Sequence, residues 1–193
     1  MNNQFKSLIF PEIIVFTPRK FEDNRGIFFE NFNFIDFKKE KGIFFEIIQE
    51  NISFSHKNVL RGLHFQKGKM AQSKLLNVIK GSIYDVIVDI RPNSKNFGKW
   101  ISYKLNDLIN ESIYIPIGFA HGFLALEEYT KVSYKVDNFY CKSAECSIVW
   151  SDKKLNINWL IENPVISNKD KVALSFEENY YKNNFKFQGN FTF

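Results

Sequence analysis

Cysteine is nearly absent: Cys141 and Cys146 are the only two in 193 residues. Two thiols cannot build a disulfide framework, and such sparse use suits a reducing cytoplasm. Their C-x4-C spacing, with three histidines elsewhere, is a poor zinc signature; two ordinary thiols on or near a strand explain it better. No apolar stretch approaches the roughly 20 residues that a membrane helix requires. No secretory signal is read either, because Pro11 and Glu12 interrupt the apolar run that follows a single basic residue. Lys and Arg never form a long run, which sets nucleic acid aside as a partner. The net charge of +5 and pI of about 9.0 fit a smaller anion, such as a diphosphate ligand. No internal repeat or linker divides the chain, so residues 1–178 read as one domain followed by a tail, 179–193.

Aromatic residues are what the chain has in excess. Its 22 Phe and 8 Tyr favour strands and large buried side chains. Apolar residues at 45% and charged residues at 24% are ordinary for a globular domain. A chain of this length buries a sizeable core without disulfides or metals. Residues 83–90 give the clearest strand, with Tyr84, Val86, Val88 and Ile90 on one face and Asp85, Ile87 and Asp89 on the other. Residues 130–136 repeat the pattern, placing Val132, Tyr134 and Val136 together and Lys131, Ser133 and Lys135 opposite. Further strands are expected at 13–16, 28–32, 44–50, 63–66, 74–79, 99–105, 112–115 and 146–150. Turn signals such as Asn24-Arg25-Gly26, Lys80-Gly81 and Pro116-Ile117-Gly118 separate them. Many short strands of this kind predict an all-β sandwich or barrel. Helix is expected only at 34–41 and as a turn near 169–173. From Asn179 onward the polar–aromatic stretch has no clean period, and reads either as a disordered tail or as an extra edge strand.

The segment Pro116-x-Gly118-x-x-His121 follows a predicted strand, with proline and glycine shaping a turn that presents the histidine into a barrel mouth. It matches the second half of the cupin signature, although the final Asn of that signature is Ala125 here. The first half should add two histidines and a glutamate as metal ligands. Residues 61–81 hold only His64 and no acidic residue. A catalytic metal needs about three N or O ligands from the protein. Only His64 and His121 are at hand, and the Lys74 ammonium would repel a cation. The expectation is therefore an all-β, cupin-type double-stranded β-helix (a jelly-roll barrel) without metal or other cofactor. Its pocket must stabilise negative charge with side chains. A metal-dependent cupin oxygenase or isomerase is the competing reading.

Nine blocks in order carry a closer likeness: DNRGIFFENF from Asp23, IIQEN from Ile47, VLRGLHFQ from Val59, QSKLLNV from Gln72, GSIYDVIVDIRPNSKNFGKW from Gly81, IPIGFAHGF from Ile115, SYKVDNFY from Ser133, IVWSD from Ile148 and SNKD from Ser167. On these the chain resembles the dTDP-4-dehydrorhamnose 3,5-epimerase family over about residues 8 to 175. The resemblance implies a nucleotide-linked 4-keto-6-deoxy sugar as substrate, whose ketone acidifies the C–H bonds at C3 and C5. Epimerisation there needs a base, a group that holds the enolate oxygen and an acid on the opposite face.

The resemblance casts His64 as the base, with Asp170 beside it to fix the tautomer and stabilise the imidazolium. His64 shares a strand face with Gly62 and Gln66, away from Leu63 and Phe65. A lone histidine is more often structural, but its place in VLRGLHFQ reverses that. Lys74 is cast as the partner of the O4 oxyanion, which is worth about 3–4 kcal/mol of barrier when water is excluded. It has the parity of Leu76 and Val78, a face that reads as inward, and not that of a solvated strand lysine. Tyr134 is the acid across the ring; a core tyrosine bonded to backbone is the alternative. Arg25 and Arg61 take the diphosphate, for which a guanidinium fork is suited. Phe28, Glu30, Gln49, Asn51 and Tyr140 match positions that contact base, ribose or phosphate, and His121 and Lys169 lie in matching site blocks.

The same resemblance implies a homodimer in which the N-terminal part of one subunit completes the neighbour's site, so that Arg25 and Phe28 act in trans. Three departures stand out: Glu50 within Gln49-Glu50-Asn51 where the family has Asp, Phe139 where it has Tyr, and a C-terminal tail that runs past the usual family end. They bear on substrate identity and leave the set His64, Lys74, Tyr134, Asp170 intact. Open alternatives are epimerisation at C3 only, a GDP- or CDP-linked hexose or heptose, and a catalytically silent sugar-nucleotide binding module.

Overall fold

The computed structural model describes residues 3–183 and Phe185. Two antiparallel sheets face each other. One has the order β1 (Gln4–Ser7), β2 (Ile14–Thr17), β10 (Ser112–Ile115), β7 (Lys74–Lys80), β12 (Thr130–Val136), β5 (Gln49–Ser55). The other has the order β13 (Glu145–Ser147), β6 (Leu60–Gln66), β11 (Phe119–Ala125), β8 (Ser82–Asp89), β9 (Trp100–Asn106). Neighbouring strands are mostly distant in sequence, so the chain crosses repeatedly between sheets. This is the cupin-type jelly-roll barrel. A separate hairpin, β3 (Lys20–Asp23) and β4 (Gly26–Phe29), stands apart from both sheets. Helices are short: α1 (Phe34–Lys41), α2 (Asn168–Lys171) and α3 (Phe176–Asn183).

Alternation along the strands builds three apolar layers. Inward residues Val15, Leu76, Val78, Ile113 and Val132 of the first sheet meet Ile83, Ile87, Ile101, Leu105, Phe119 and Phe123 of the second. The outer face of the second sheet, with Val86 and Val88, is covered by Leu155, Trp159, Phe176 and Phe185 from the C-terminal part. The outer face of the first sheet carries the aromatic excess: Phe16 and Tyr114 lie under Phe37 of α1 and Phe45. Each fully buried aromatic contributes up to about 3 kcal/mol of transfer free energy. Helix α1 begins where the Asn33 side chain accepts from the amides of Ile35 and Asp36, and ends at Gly42 in the left-handed region, φ 66°.

Strands expected at 112–115 and 130–136 coincide with β10 and β12, and helix 34–41 with α1. Those at 13–16, 63–66, 74–79, 83–90 and 99–105 overlap β2, β6, β7, β8 and β9 with displaced ends. Three expectations need correction. The strand at 28–32 ends at Phe29, because the following residues lead into the Asn33 cap. The one at 44–50 begins only at Gln49; residues 43–48 are irregular and bury Phe45 under α1. The one at 146–150 is three residues long and starts at Glu145. His121 lies within β11, a strand that begins directly after the expected Pro116-Ile117-Gly118 turn and is absent from the strands expected above. Helix α3 crosses the expected boundary at 178, while residue 184 and residues 186–193 lie outside the described residues.

Candidate active site

At one end of the space between the sheets the inward residues turn polar. Lys74 continues the face of Leu76 and Val78 on β7, and Tyr134 continues that of Val132 on β12. From the opposite sheet come His64 on β6 and His121 on β11, directly paired in register. All four line a cavity of about 820 Å³. The two histidine strands are unusually close. A Cβ on Gly62 would sit 2.5 Å from the Gly122 Cα and 2.8 Å from the His121 carbonyl oxygen, and Gly62 has φ +124°. The pairing also shifts register between His121 and Phe123, a bulge that re-aims side chains toward the cavity.

His64 Nε2 lies 2.6 Å from Asp170 Oδ1, with the histidine side chain 27% exposed and the aspartate buried. Asp170 is placed by the cap of α2, where its amide donates to Ser167 Oγ at 3.1 Å. Burial works against the Asp170 carboxylate, but the hydrogen bond and charge of His64, with Ser167 and Lys169, hold it below its ordinary range. An ionised carboxylate only accepts, so Nε2 carries the proton and Nδ1 is left as the basic nitrogen.

Lys74 Nζ donates to the His64 carbonyl at 3.1 Å. Burial pushes its pKa down to about 8, opposed by the charges of Asp85 and Glu145. It therefore stays cationic at neutral pH while titrating far more readily than a surface lysine. Burial raises the Tyr134 phenol, which is protonated at neutral pH; its hydroxyl makes no hydrogen bond among the described residues. His121 Nε2 sits 2.6 Å from Asp85 Oδ1, and burial lowers the imidazole despite that partner.

The mouth of the cavity is polar. Arg61 donates to Ser55 Oγ at 3.1 Å and to the Phe54 carbonyl at 3.0 Å. Gln49 Nε2 bonds Asn51 Oδ1 at 2.7 Å, and Gln49 Oε1 accepts from the Tyr140 amide at 3.1 Å. Lys169 Nζ reaches Glu145 Oε1 at 2.6 Å, while the Tyr140 hydroxyl donates to Glu145 Oε2 at 3.1 Å. Burial raises the Glu145 carboxyl, but Lys169 and Tyr140 outweigh it and hold it low. Among the described residues, no three of His, Cys, Asp and Glu form a group able to hold a metal ion.

The structure thus gathers His64, Lys74, Tyr134, Asp170, Gln49, Asn51, Arg61, His121, Tyr140 and Lys169 around one cavity. It does not bring Arg25, Phe28 or Glu30 there. These sit on or beside the β3–β4 hairpin: Arg25 is paired to Asp23 at 2.6 Å with its side chain 86% exposed, Phe28 is 72% exposed, and Glu30 accepts from Asn33. Three residues of the site escaped the sequence reading. Glu145 fell one residue outside a strand drawn from Cys146, although its alternation with the buried Cys146 points it to the cavity. Asp85 was placed on the correct face of its strand without a role. Gln66 shares the His64 face and bridges two loops, donating to the Met70 carbonyl (2.6 Å) and the Phe139 carbonyl (3.0 Å) and accepting from the Cys141 amide (2.7 Å).

A family model described as dTDP-4-dehydrorhamnose 3,5-epimerase matches residues 7–178. The chain is 45% identical over 171 residues to the dTDP-4-dehydrorhamnose 3,5-epimerase of Shigella flexneri, which covers 89% of this chain and 94% of the relative. Its fold is similar to that of the dTDP-6-deoxy-D-glucose-3,5-epimerase of Legionella pneumophila, solved in complex with dTDP-4-keto-L-rhamnose. The TM-score is 0.90 at 34% identity, over 97% of this chain and 100% of that one. A 3'-monoepimerase from Streptomyces bikiniensis, in complex with dTDP-quinovose, is similar with TM-score 0.86 and 27% identity, over 91% of this chain and 89% of that one. The chain belongs to the dTDP-4-dehydrorhamnose 3,5-epimerase family, and is an isomerase that epimerises a nucleotide-linked 4-keto-6-deoxy sugar in deoxysugar synthesis.

Proposed function

We propose that this enzyme inverts C3 and C5 of a dTDP-linked 4-keto-6-deoxy hexose without a metal. His64 is the base, Lys74 the oxyanion partner and Tyr134 the acid. The observation that carries the reading is the arrangement of these three groups. A dyad-held imidazole on one sheet and a protonated phenol on the other line the same cavity, with a half-buried ammonium at its inner end. His64 Nδ1 removes the proton alpha to the ketone, and the negative charge that reaches O4 is held by Lys74. Asp170 stabilises the imidazolium. Tyr134 then delivers a proton to the opposite face of the same carbon, which inverts it. Each inversion leaves His64 with one proton more and Tyr134 with one fewer, and exchange with solvent resets both before the second carbon reacts.

Arg61 and Lys169 at the mouth suit the diphosphate, and Tyr140 suits stacking on the base. The exposed hairpin with Arg25, Phe28 and Glu30 fits a homodimer in which it enters the neighbour's cavity, Glu30 accepting from a pyrimidine imide. The sparse cysteines fit work in the cytoplasm. The similarity to a 3'-monoepimerase favours a second reading, inversion at C3 only. Proton NMR of dTDP-, GDP- and CDP-linked 4-keto-6-deoxy sugars in D2O, with EDTA present, tests all of this. Deuterium is expected at C3 and C5 of the dTDP sugar. Deuterium at C3 alone would establish the second reading, and no exchange with any of the three would refute both.

A further inference from the structure

Asp170 reaches His64 from a stretch of chain with little else to hold it in place. Main-chain bonds anchor the two ends of that stretch. Val165 donates to the Asn58 carbonyl at 2.8 Å and accepts from the Leu60 amide at 2.9 Å, and the Leu174 carbonyl accepts from the Val149 amide at 2.8 Å. Between these anchors lies α2, a single turn closed by one bond from the Lys171 amide to the Ser167 carbonyl at 3.1 Å. Asp170 is the only buried residue of the turn, while Ser167, Asn168, Lys169, Lys171 and Val172 are exposed. No apolar face therefore packs it against the barrel, and a lone turn does not persist on its own main-chain bonds.

Besides the bond to His64 itself, two side-chain holds on the turn remain among the described residues. Lys169 Nζ reaches Glu145 Oε1 at 2.6 Å, but at the mouth of the cavity, where a bound diphosphate would compete for that ammonium. The other is Ser167 Oγ, which accepts from the Asp170 amide at 3.1 Å. Ser167-x-x-Asp170 has the spacing of a capping box, in which the acid turns back to the amide of the cap residue. Here Asp170 Oδ1 instead lies 2.6 Å from His64 Nε2, so the box is half made and the serine hydroxyl holds the turn.

We propose that Ser167 is a positioning residue of the epimerisation: its hydroxyl fixes the main chain at Asp170, and through that carboxylate it fixes the orientation of the His64 imidazole. This rests on the reading of His64 as the base. Ser167 also lines the cavity, so direct contact with substrate is the rival role, and kinetics separate the two.

Ser167→Ala removes the capping oxygen. Misplacing a reacting group by about 1 Å costs up to about 10²-fold, so kcat for the dTDP 4-keto sugar should fall about tenfold while KM stays within about twofold. Ser167→Thr and Ser167→Asn, which keep an oxygen able to cap, should restore most of kcat. The short bond to the carboxylate gives the His64 Nε2–H a far-downfield proton resonance, identified by its absence in His64→Asn. That resonance should broaden or vanish in Ser167→Ala and return in Ser167→Thr. In an Asp170→Asn background Ser167→Ala should cost nothing further, because its effect runs through the carboxylate. A raised KM at unchanged kcat marks a substrate contact and overturns the proposal. So does an unchanged kcat and KM, a loss that neither Thr nor Asn rescues, or a full additive loss in the Asp170→Asn background. Failure of all three Ser167 variants to fold marks a folding residue and also overturns it. His64→Asn separates the two ideas. Full activity in that variant sinks the reading of His64 as base, whereas an inactive His64→Asn beside a fully active Ser167→Ala sinks this inference alone.

Discussion

Replacing Lys74 by Met should make the protein more stable and nearly inactive. Burial lowers the Lys74 pKa from 10.5 to about 8, and each pKa unit corresponds to about 1.4 kcal/mol, so holding the charge costs the fold about 3 kcal/mol at pH 7. Methionine has similar length and no charge to desolvate. Against the gain stands the lost Nζ bond to the His64 carbonyl, worth about 1 kcal/mol. The side chain is also only partly shielded from water, which trims the benefit. A net stabilisation of about 1–2 kcal/mol remains, with kcat reduced about 10²- to 10³-fold by loss of the oxyanion partner. The sign depends on pH. Below pH 8 both folded and unfolded lysine are charged and the penalty is complete. Between pH 8 and 10.5 the unfolded state alone keeps the proton, so wild-type stability rises with pH and the advantage of the variant fades. Urea unfolding of both proteins at equal concentration, at pH 7 and pH 10, measures this. A variant that is less stable at pH 7, or an advantage independent of pH, would refute the reasoning.

Two other perturbations separate chemistry from scaffold. Gln66→Leu removes the side chain that holds the Phe139 carbonyl and the Cys141 amide on either side of Tyr140. Steady-state kinetics should show KM raised about tenfold, the net worth of one or two hydrogen bonds, with kcat little changed; a fall in kcat at constant KM would contradict it. Gly62→Ala forces a Cβ against the Gly122 backbone at a φ that alanine disfavours, and thermal or urea unfolding should show a loss of about 2–4 kcal/mol. An unchanged midpoint would mean that β6 and β11 separate freely.

Legibility in the sequence followed burial. Strand β12 was readable to the residue because one face holds Val132 and Val136 while Lys131 and Lys135 interrupt the other. That alternation also turned Tyr134 inward correctly. Strand β11 was invisible because all seven of its residues are buried, and two-sided burial erases alternation. Its Gly122, which lets β6 approach, weakens the strand signal further. The apolar run before Gln49 looked like strand because a buried Phe45 satisfies the same composition from an irregular segment. The His64–Asp170 pair joins residues 106 apart, which no local pattern can link; it came from the family likeness. Glu145 and Asp85 needed three dimensions, since their meaning lies in the side chains they meet: Lys169 and Tyr140 for Glu145, His121 for Asp85.

The account stands on base and acid acting from opposite sheets on one carbon. Proton NMR of the dTDP 4-keto sugar in D2O, run with His64→Asn and Tyr134→Phe beside the wild type, tests that directly. The account predicts no washout at C3 or C5 with His64→Asn. With Tyr134→Phe, washout should persist while the inverted epimer fails to accumulate. Washout surviving the loss of His64, or normal inversion without the Tyr134 hydroxyl, would contradict it.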